Sequence, residues 1–189
     1  HRLWSIMIDL HTHTLLSDGE LLPTELARRA KDKGYAAIGI TDHADSSNLE
    51  TVISSLKKAS EDLGDAMGIR IVCGVELTHI PPALIPAMAL KARKLGCRLV
   101  LVHGETLVEP VIPGTNRAAL NSDIDILTHP GLITEDEAQL AAQRGICLEI
   151  TSRHGHSFSN GHVAAVAREA GARLVLNSDS HSPCDLLSP

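Results

Sequence analysis

The chain has 189 residues, enough to bury a full core as one domain, and its formal charge of −6 lacks the basic surplus that marks broad nucleic-acid affinity. Apolar residues make up 43% and aromatics only 2%, so the core must be built from Leu, Ile, Val and Ala, with no aromatic platform for stacking bases. No stretch approaches the roughly 18 apolar residues of a membrane span, and the opening HRLWSI lacks the regions of a signal peptide, so a cytoplasmic protein is expected.

Residues 1–5 read as a possible extension ahead of the first apolar run, IMIDLHTH (6–13). PTELARRAKDKG (23–34) begins with Pro and ends at Gly, the usual start and stop of a helix. A second strand, AAIGITDH (36–43), leads to the longest predicted helix (46–68), where Leu49, Val52, Ile53, Leu56, Ala59 and Leu63 recur at helical spacing. Then follow strand IRIVCGVE (69–76), helix 81–96 and strand CRLVLVHG (97–104). Residues 105–122 read as a loop over the rim followed by a short helix. Strand DIDILTHP (123–130), helix 134–145 with its acids in the first turn, strand ICLEIT (146–151), helix 159–171 and strand RLVLNSDSH (173–181) complete the series. The chain stops at Pro189, which leaves no room for a helix after the last strand.

Alternating strands and helices predict a parallel sheet. Seven such strands fit a TIM-like (β/α)7 barrel spanning residues 1–189 as one domain better than the eight units of a TIM barrel. The four cysteines, Cys73, Cys97, Cys147 and Cys184, form no CxxC pair and are expected to be reduced.

In such folds ligand chemistry gathers at the carboxyl ends of the strands. His11, His13, His43, Glu76, His103, His129, Asp179 and His181 all stand there. Period-2 alternation puts Asp9, His11 and His13 on one face with Ile8 and Leu10 turned to the helices. It likewise pairs Glu76 with Gly74 and Val72, His103 with Leu101, His129 with Leu127, and Asp179 and His181 with Asn177. Imidazoles and carboxylates converging in this way suit Zn²⁺, Mn²⁺ or Fe²⁺. Asp9 is expected to orient a ligand imidazole or to bond elsewhere on the barrel floor, and Glu149 to act as an interior acid beside the ligands. Arg153, after the sixth strand, is the candidate phosphate clamp, with Arg117 weaker. Of the histidines flanking Gly155, His154 is favoured over His156 to reach the site. His79 and His162 read as surface or packing residues.

The motifs DLHTHTLLSDG (9–19), ITDH (40–43), GVE (74–76), VHG (102–104), THP (128–130) and NSDSH (177–181) together resemble the polymerase and histidinol phosphatase (PHP) family of metal-dependent phosphoesterases. The resemblance implies a distorted seven-stranded barrel and two to three divalent ions. By it, His11, His13, Glu76 and Asp179 would hold the first ion. Glu76 would bridge to a second, completed by His103 and His129, and Asp18, His43 and His181 would hold the third. Catalytic roles are implied for Glu76, Asp179 and His181, beside the candidates Arg153 and His154. The expected function is hydrolysis of a small phosphomonoester of the histidinol phosphate kind. The alternatives are a phosphodiesterase or exonuclease on nucleotides or short nucleic acid, and a non-catalytic metal-binding module. A small phosphorylated molecule is the expected partner, with no membrane and with nucleic acid disfavoured. An amidohydrolase barrel also opens with HxH, but it would place a lysine where the fourth strand has His103.

Overall fold

A computed structural model describes residues 6–188. Its parallel strands are β1 (Met7–Asp9), β2 (Tyr35–Ile40), β3 (His43–Ala44), β4 (Arg70–Leu77), β5 (Leu99–His103), β6 (Ile126–Thr128), β7 (Cys147–Thr151) and β8 (Leu174–Asn177). Seven run in the order β1-β2-β4-β5-β6-β7-β8, while the two-residue β3 pairs with the upper part of β4. The second predicted strand is thus broken at Thr41–Asp42, and its end, with His43, shifts alongside Glu76. The ring is drawn nearly closed at the rim, where Thr12 bridges Ser180 and the His13 N–H donates to Ser180 O at 2.8 Å. The fold is the expected seven-stranded TIM-like barrel with helices outside.

Those helices are α1 (Pro23–Asp32), α2 (Leu49–Met67), α3 (Ile85–Lys94), α4 (Thr115–Leu120), α5 (Glu135–Arg144) and α6 (Asn160–Ala170). Helix α5 starts with a capping box in which the Thr134 hydroxyl accepts from Glu137 N and Glu137 Oε2 accepts from Thr134 N, satisfying two otherwise orphaned donors. The segment predicted as loop and short helix contains only α4 as a helix. Among the described residues no helix is long and apolar enough to cross a membrane.

Two apolar layers support the rim. Outside the strands, Ile38, Ile40, Val75, Val100 and Leu127 pack on Leu26, Leu56, Ile85 and Ala138 from the helices. Inside, Leu99, Leu101 and Ile126 pack with Leu10, Val72 and Val175 and plug the barrel beneath the polar end. Each fully buried Leu or Ile is worth about 1.5–3 kcal/mol relative to exposure, so the plug is a stiff base for side chains above it.

Two residues depart from the expected phase, Leu10 and His129, and the second does so beyond a β6 that alternates regularly. Leu10 joins the interior plug instead of facing the helices, because β1 stops at Asp9 and the chain beyond it is no longer regular strand. Leu127 packs outward while Ile126 and Thr128 face in. His129 follows the end of β6 at φ 25°, and Asp179 follows β8 at φ 53°. Both adopt backbone conformations that cost a non-glycine residue energy and that cluster at functional sites.

Candidate metal centre

Glu76, fully buried near the end of β4, organises the rim. Its two oxygens face different groups. Oε2 lies 3.2 Å from His11 Nε2, 3.4 Å from His13 Nε2 and 3.1 Å from His43 Nδ1. Oε1 lies 3.4 Å from His103 Nδ1 and 3.5 Å from His129 Nε2, and accepts from Thr128 Oγ1 at 2.7 Å. Asp179 faces the same imidazoles from just beyond β8: Oδ1 is 3.2 Å from His13 Nε2 and 3.5 Å from His11 Nε2, and Oδ2 is 3.7 Å from His129 Nε2. Asp18 closes the open side, with Oδ1 3.2 Å from His181 Nε2 and Oδ2 3.5 Å from His43 Nε2. All nine sequence-predicted ligands therefore meet in one cluster.

Neighbouring groups fix these side chains. Glu149, on β7, places Oε2 2.8 Å from His11 Nδ1, which leaves Nε2 turned to Glu76. Asn177 Nδ2 donates to the same Glu149 oxygen at 2.8 Å. Asp42, at the break between β2 and β3, accepts from Thr14 N, Thr14 Oγ1 and Ser17 Oγ at 2.6–2.8 Å and so pins the loop that carries Asp18. Asp9 does not reach an imidazole. Its carboxylate accepts from the backbone of His11 at 3.1 Å and of Ser178 at 3.2 Å, stitching β1 to β8, and burial raises it to about 6.

The charges are strongly coupled. Burial alone would favour neutral carboxyls, but the imidazoles of His11, His103 and His129 hold Glu76 well below its usual range. Asp179, facing His11 and His13, and Asp18, facing His181 and His43, are likewise held low. Burial opposes charge on His43 and His103 too, yet facing carboxylates raise them to about 10 and about 9; His13, dominated by burial, falls to about 4. Three ionised carboxylates among six imidazoles form a buried, donor-rich pocket in which protons on the raised imidazoles balance the carboxylates, and a bound cation would take the place of those protons.

Such a pocket fits divalent cations. His11 Nε2, both nitrogens of His13, of His103 and of His129, Glu76 Oε2 and Asp179 Oδ1 are among the buried side-chain atoms with no hydrogen-bond partner. Orphaned buried polar atoms are rare, and cations held by one nitrogen of each ring together with the two carboxylate oxygens would satisfy most of them. The possible groups include His11–His13–Asp179, His43–Glu76–His103 and His13–Asp18–His43–His181, each with ligand atoms within 4.8 Å of one another. His13 and His43 each belong to two of these three groups, so the groups adjoin as sites for neighbouring ions would.

Three expectations outside the ligand set meet different surroundings in the structure. Arg153 is paired with Asp185 at 3.3 Å and lines, with His154, a separate cavity that also includes Ser152 and Cys184. Asp185 accepts from the His181 backbone N–H at 2.9 Å, so Arg153 touches the cluster only through that carboxylate. His154 packs near Phe158, whereas His156 stacks on His129 with ring centroids 4.1 Å apart. His79 is no bystander: its Nε2 lies 3.0 Å from Glu109 Oε2, and both line a cavity of about 400 Å³ beside Asp18, His43 and His103. Glu109 escaped sequence reading because it sits in the irregular segment before α4, where periodicity gives no facing. His162 is exposed, as the surface reading expected, with its Nε2 2.7 Å from Ile133 O.

Comparisons agree with this architecture. The PHP domain family matches residues 9–169. An uncharacterized protein of Methanocaldococcus jannaschii is 51% identical over 181 residues, covering 95% of this chain and 83% of its own. The DNA polymerase/3'-5' exonuclease PolX of Bacillus subtilis is 26% identical over 200 residues, which is 95% of this chain but only 35% of PolX. The crystal structure of histidinol phosphate phosphatase from Lactococcus lactis, complexed with zinc, L-histidinol and phosphate, superposes with a TM-score of 0.66 at 17% identity, covering 93% of this chain and 86% of that one. That last likeness is one of fold.

Proposed function

This chain belongs to the PHP domain family, and from that membership we propose that it is a divalent-metal-dependent phosphoesterase acting on a small phosphomonoester, with histidinol phosphate as first candidate substrate. The observation that carries the proposal is the buried Glu76 carboxylate, whose two oxygens face separate imidazole groups in the manner of a ligand shared by two cations. His11, His13, Glu76 and Asp179 would hold one ion, Glu76, His103 and His129 a second, and Asp18, His43 and His181 a third. Bound there, divalent ions supply Lewis acidity toward phosphoryl oxygens and a water of lowered pKa.

The chain's own part is positioning. Glu149 fixes the His11 ring, and Thr128 fixes Glu76 Oε1 by its 2.7 Å hydrogen bond. Asp42 holds the Asp18 loop. Asp18 and His43 line the open cavity, where an ester group would lie. Arg153, already paired with Asp185, is left out of phosphate binding.

The cavity lining favours a small substrate over nucleic acid. It includes Asp18, Asp45 and Glu109, and no lysine or arginine is among its residues. A strand of phosphates running out of the metal cluster would meet carboxylates, and like charges placed together disfavour binding. A single terminal phosphoryl group seated at the ions with a neutral or cationic remainder in the cavity meets no such penalty.

The test is a side-by-side panel with one metal fixed: histidinol phosphate, nucleoside monophosphates, a bis-aryl phosphate and short single-stranded oligonucleotides. Small monoesters should be hydrolysed fastest, and strong chelation should abolish turnover until Mn²⁺, Zn²⁺ or Fe²⁺ is restored. Faster cleavage of the diester or oligonucleotides would replace this reading with a nuclease. No turnover of any substrate by fully metallated protein would replace it with a metal-binding module.

A further inference from the structure

The segment between β5 and α4 carries Glu109, and this one carboxylate gathers three imidazoles. His79 Nε2 hydrogen-bonds Oε2 at 3.0 Å, His103 Nε2 lies as close to it without the alignment of a hydrogen bond, and His156 Nε2 lies 3.4 Å from Oε1. On the other edge of the His103 ring, Nδ1 faces Glu76 Oε1 at 3.4 Å. A neutral imidazole has one N–H and one lone pair, so only one of its nitrogens can face a cation. We propose that Glu109 is a positioning residue that, when an ion takes Nδ1 of His103, accepts the Nε2–H of the same ring and so commits the Nδ1 lone pair to the ion shared with Glu76 and His129. The inference rests on the metal-centre reading above and adds a member that the strand-end motifs do not contain.

The opposite side of Glu76 carries the same device with the ring reversed. Glu149 takes Nδ1 of His11 at 2.8 Å, and His11 Nε2 faces Glu76 Oε2 at 3.2 Å. Two imidazoles, one for each oxygen of Glu76, thus each face a carboxylate across their far nitrogen, hydrogen-bonded at His11 and 3.0 Å away at His103. A backing acceptor of this kind fixes tautomer and ring orientation and raises ligand basicity.

Glu109 is held for this task. Glu105 Oε1 accepts from Gly114 N and Asn116 N, both at 2.9 Å, and Asn116 Nδ2 donates to Pro130 O at 2.9 Å, tying the segment to the residue after His129. Gly131, at φ +63°, runs so close to Glu105 O that any Cβ would collide with it. Thr106 Oγ1 lies 2.6 Å from His156 Nδ1, which leaves His156 Nε2 for Glu109. Glu109 is therefore anchored on one side by the loop's own bonds and on the other by His79 and His156.

The experiment compares the full chain with its Glu109→Ala and Glu109→Gln variants by stepwise Zn²⁺ competition titration and by long-range ¹H–¹⁵N correlation spectra of the zinc-loaded proteins. The parent should show His103 protonated at Nε2. Glu109→Ala should weaken one zinc ion by roughly ten- to a hundredfold while the others bind as before, the usual cost of losing a backing partner. Glu109→Gln keeps an acceptor oxygen and should recover part of that loss. A merely structural role would move neither the His103 nitrogen signals nor one zinc selectively. Unchanged zinc affinity and unchanged His103 signals in Glu109→Ala would overturn the proposal. So would an unprotonated His103 Nε2 with one zinc lost equally in Glu109→Ala and His79→Ala, which would make the Glu109 cluster a zinc site itself. A parent protein that binds no zinc would remove the metal-centre reading first and this inference with it.

Discussion

Replacing Glu76 by Gln keeps the shape of the side chain and removes its charge. Glu76 is fully buried, and five imidazole nitrogens lie within 3.5 Å of its two oxygens. The amide offers one neutral acceptor oxygen and turns an NH₂ group toward the second set of ligands. Breaking a buried charge pair by removing one partner costs about 3–5 kcal/mol. At 1.4 kcal/mol per decade, that is roughly a hundredfold to several thousandfold in affinity for an ion held by Glu76. The variant should keep its far-ultraviolet circular dichroism, carry at least one ion fewer by elemental analysis, and lose most phosphate release. Glu76→Asp, which keeps the charge but withdraws it from one set of imidazoles, should retain at least one more ion than Glu76→Gln. If Glu76→Gln kept full metal content with affinity within tenfold of the parent, the shared-ligand argument would be wrong.

Four further outcomes follow from the same geometry. Glu149→Leu leaves His11 Nδ1 and Asn177 Nδ2 buried without their shared acceptor, at about 1–3 kcal/mol each; for a domain of this size each kcal/mol should appear as a fall of about 2–4 °C in Tm. Arg153→Ala removes a partly exposed ion pair of about 0–1 kcal/mol, so turnover of a small monoester should stay within about fivefold of the parent; a much larger loss with unchanged metal content would restore Arg153 as a phosphate clamp. In the metal-stripped protein, His43 and His103 are raised to about 10 and about 9 by their carboxylates. The stability they contribute is complete below their unfolded value near 6.5 and is lost as pH rises through 9–10; thermal melts of chelated protein across pH 6–10.5 should show that decline. Metal loading should abolish it, since the cation replaces the proton.

Much of this was legible in the sequence because the ligands sit where apolar runs end. Glu76 and His103 continue the inward phase of Val72–Gly74 and Leu101, and in both strands the structure keeps that phase. It was not legible where the strand ended early. Leu10 lies on the face opposite to the one that alternation assigns, and His129 is out of phase with the regular β6 before it, yet His11 and His129 still reach the cluster, the second from a left-handed φ. Period 2 describes regular backbone only, and the rim is where regular backbone stops. His79, Glu109 and His156 lie wholly outside strands, and their convergence depends on the path of the segment between β5 and α4. No spacing rule encodes that path. Asp9 shows the converse: a carboxylate in phase with the ligands on paper bonds only backbone N–H groups.

On the proposed reading, eight side chains at or just beyond strand ends and Asp18 from the loop after β1 converge to hold divalent ions. Anomalous diffraction at the absorption edge of the bound metal, on crystals of purified protein reconstituted with Zn²⁺ or Mn²⁺, tests it most directly. Two or three peaks are expected, one between Glu76 Oε2, His11, His13 and Asp179, one between Glu76 Oε1, His103 and His129, and where a third is present, one beside Asp18, His43 and His181. A metal-soaked crystal with no anomalous peak within coordination distance of Glu76 would contradict it.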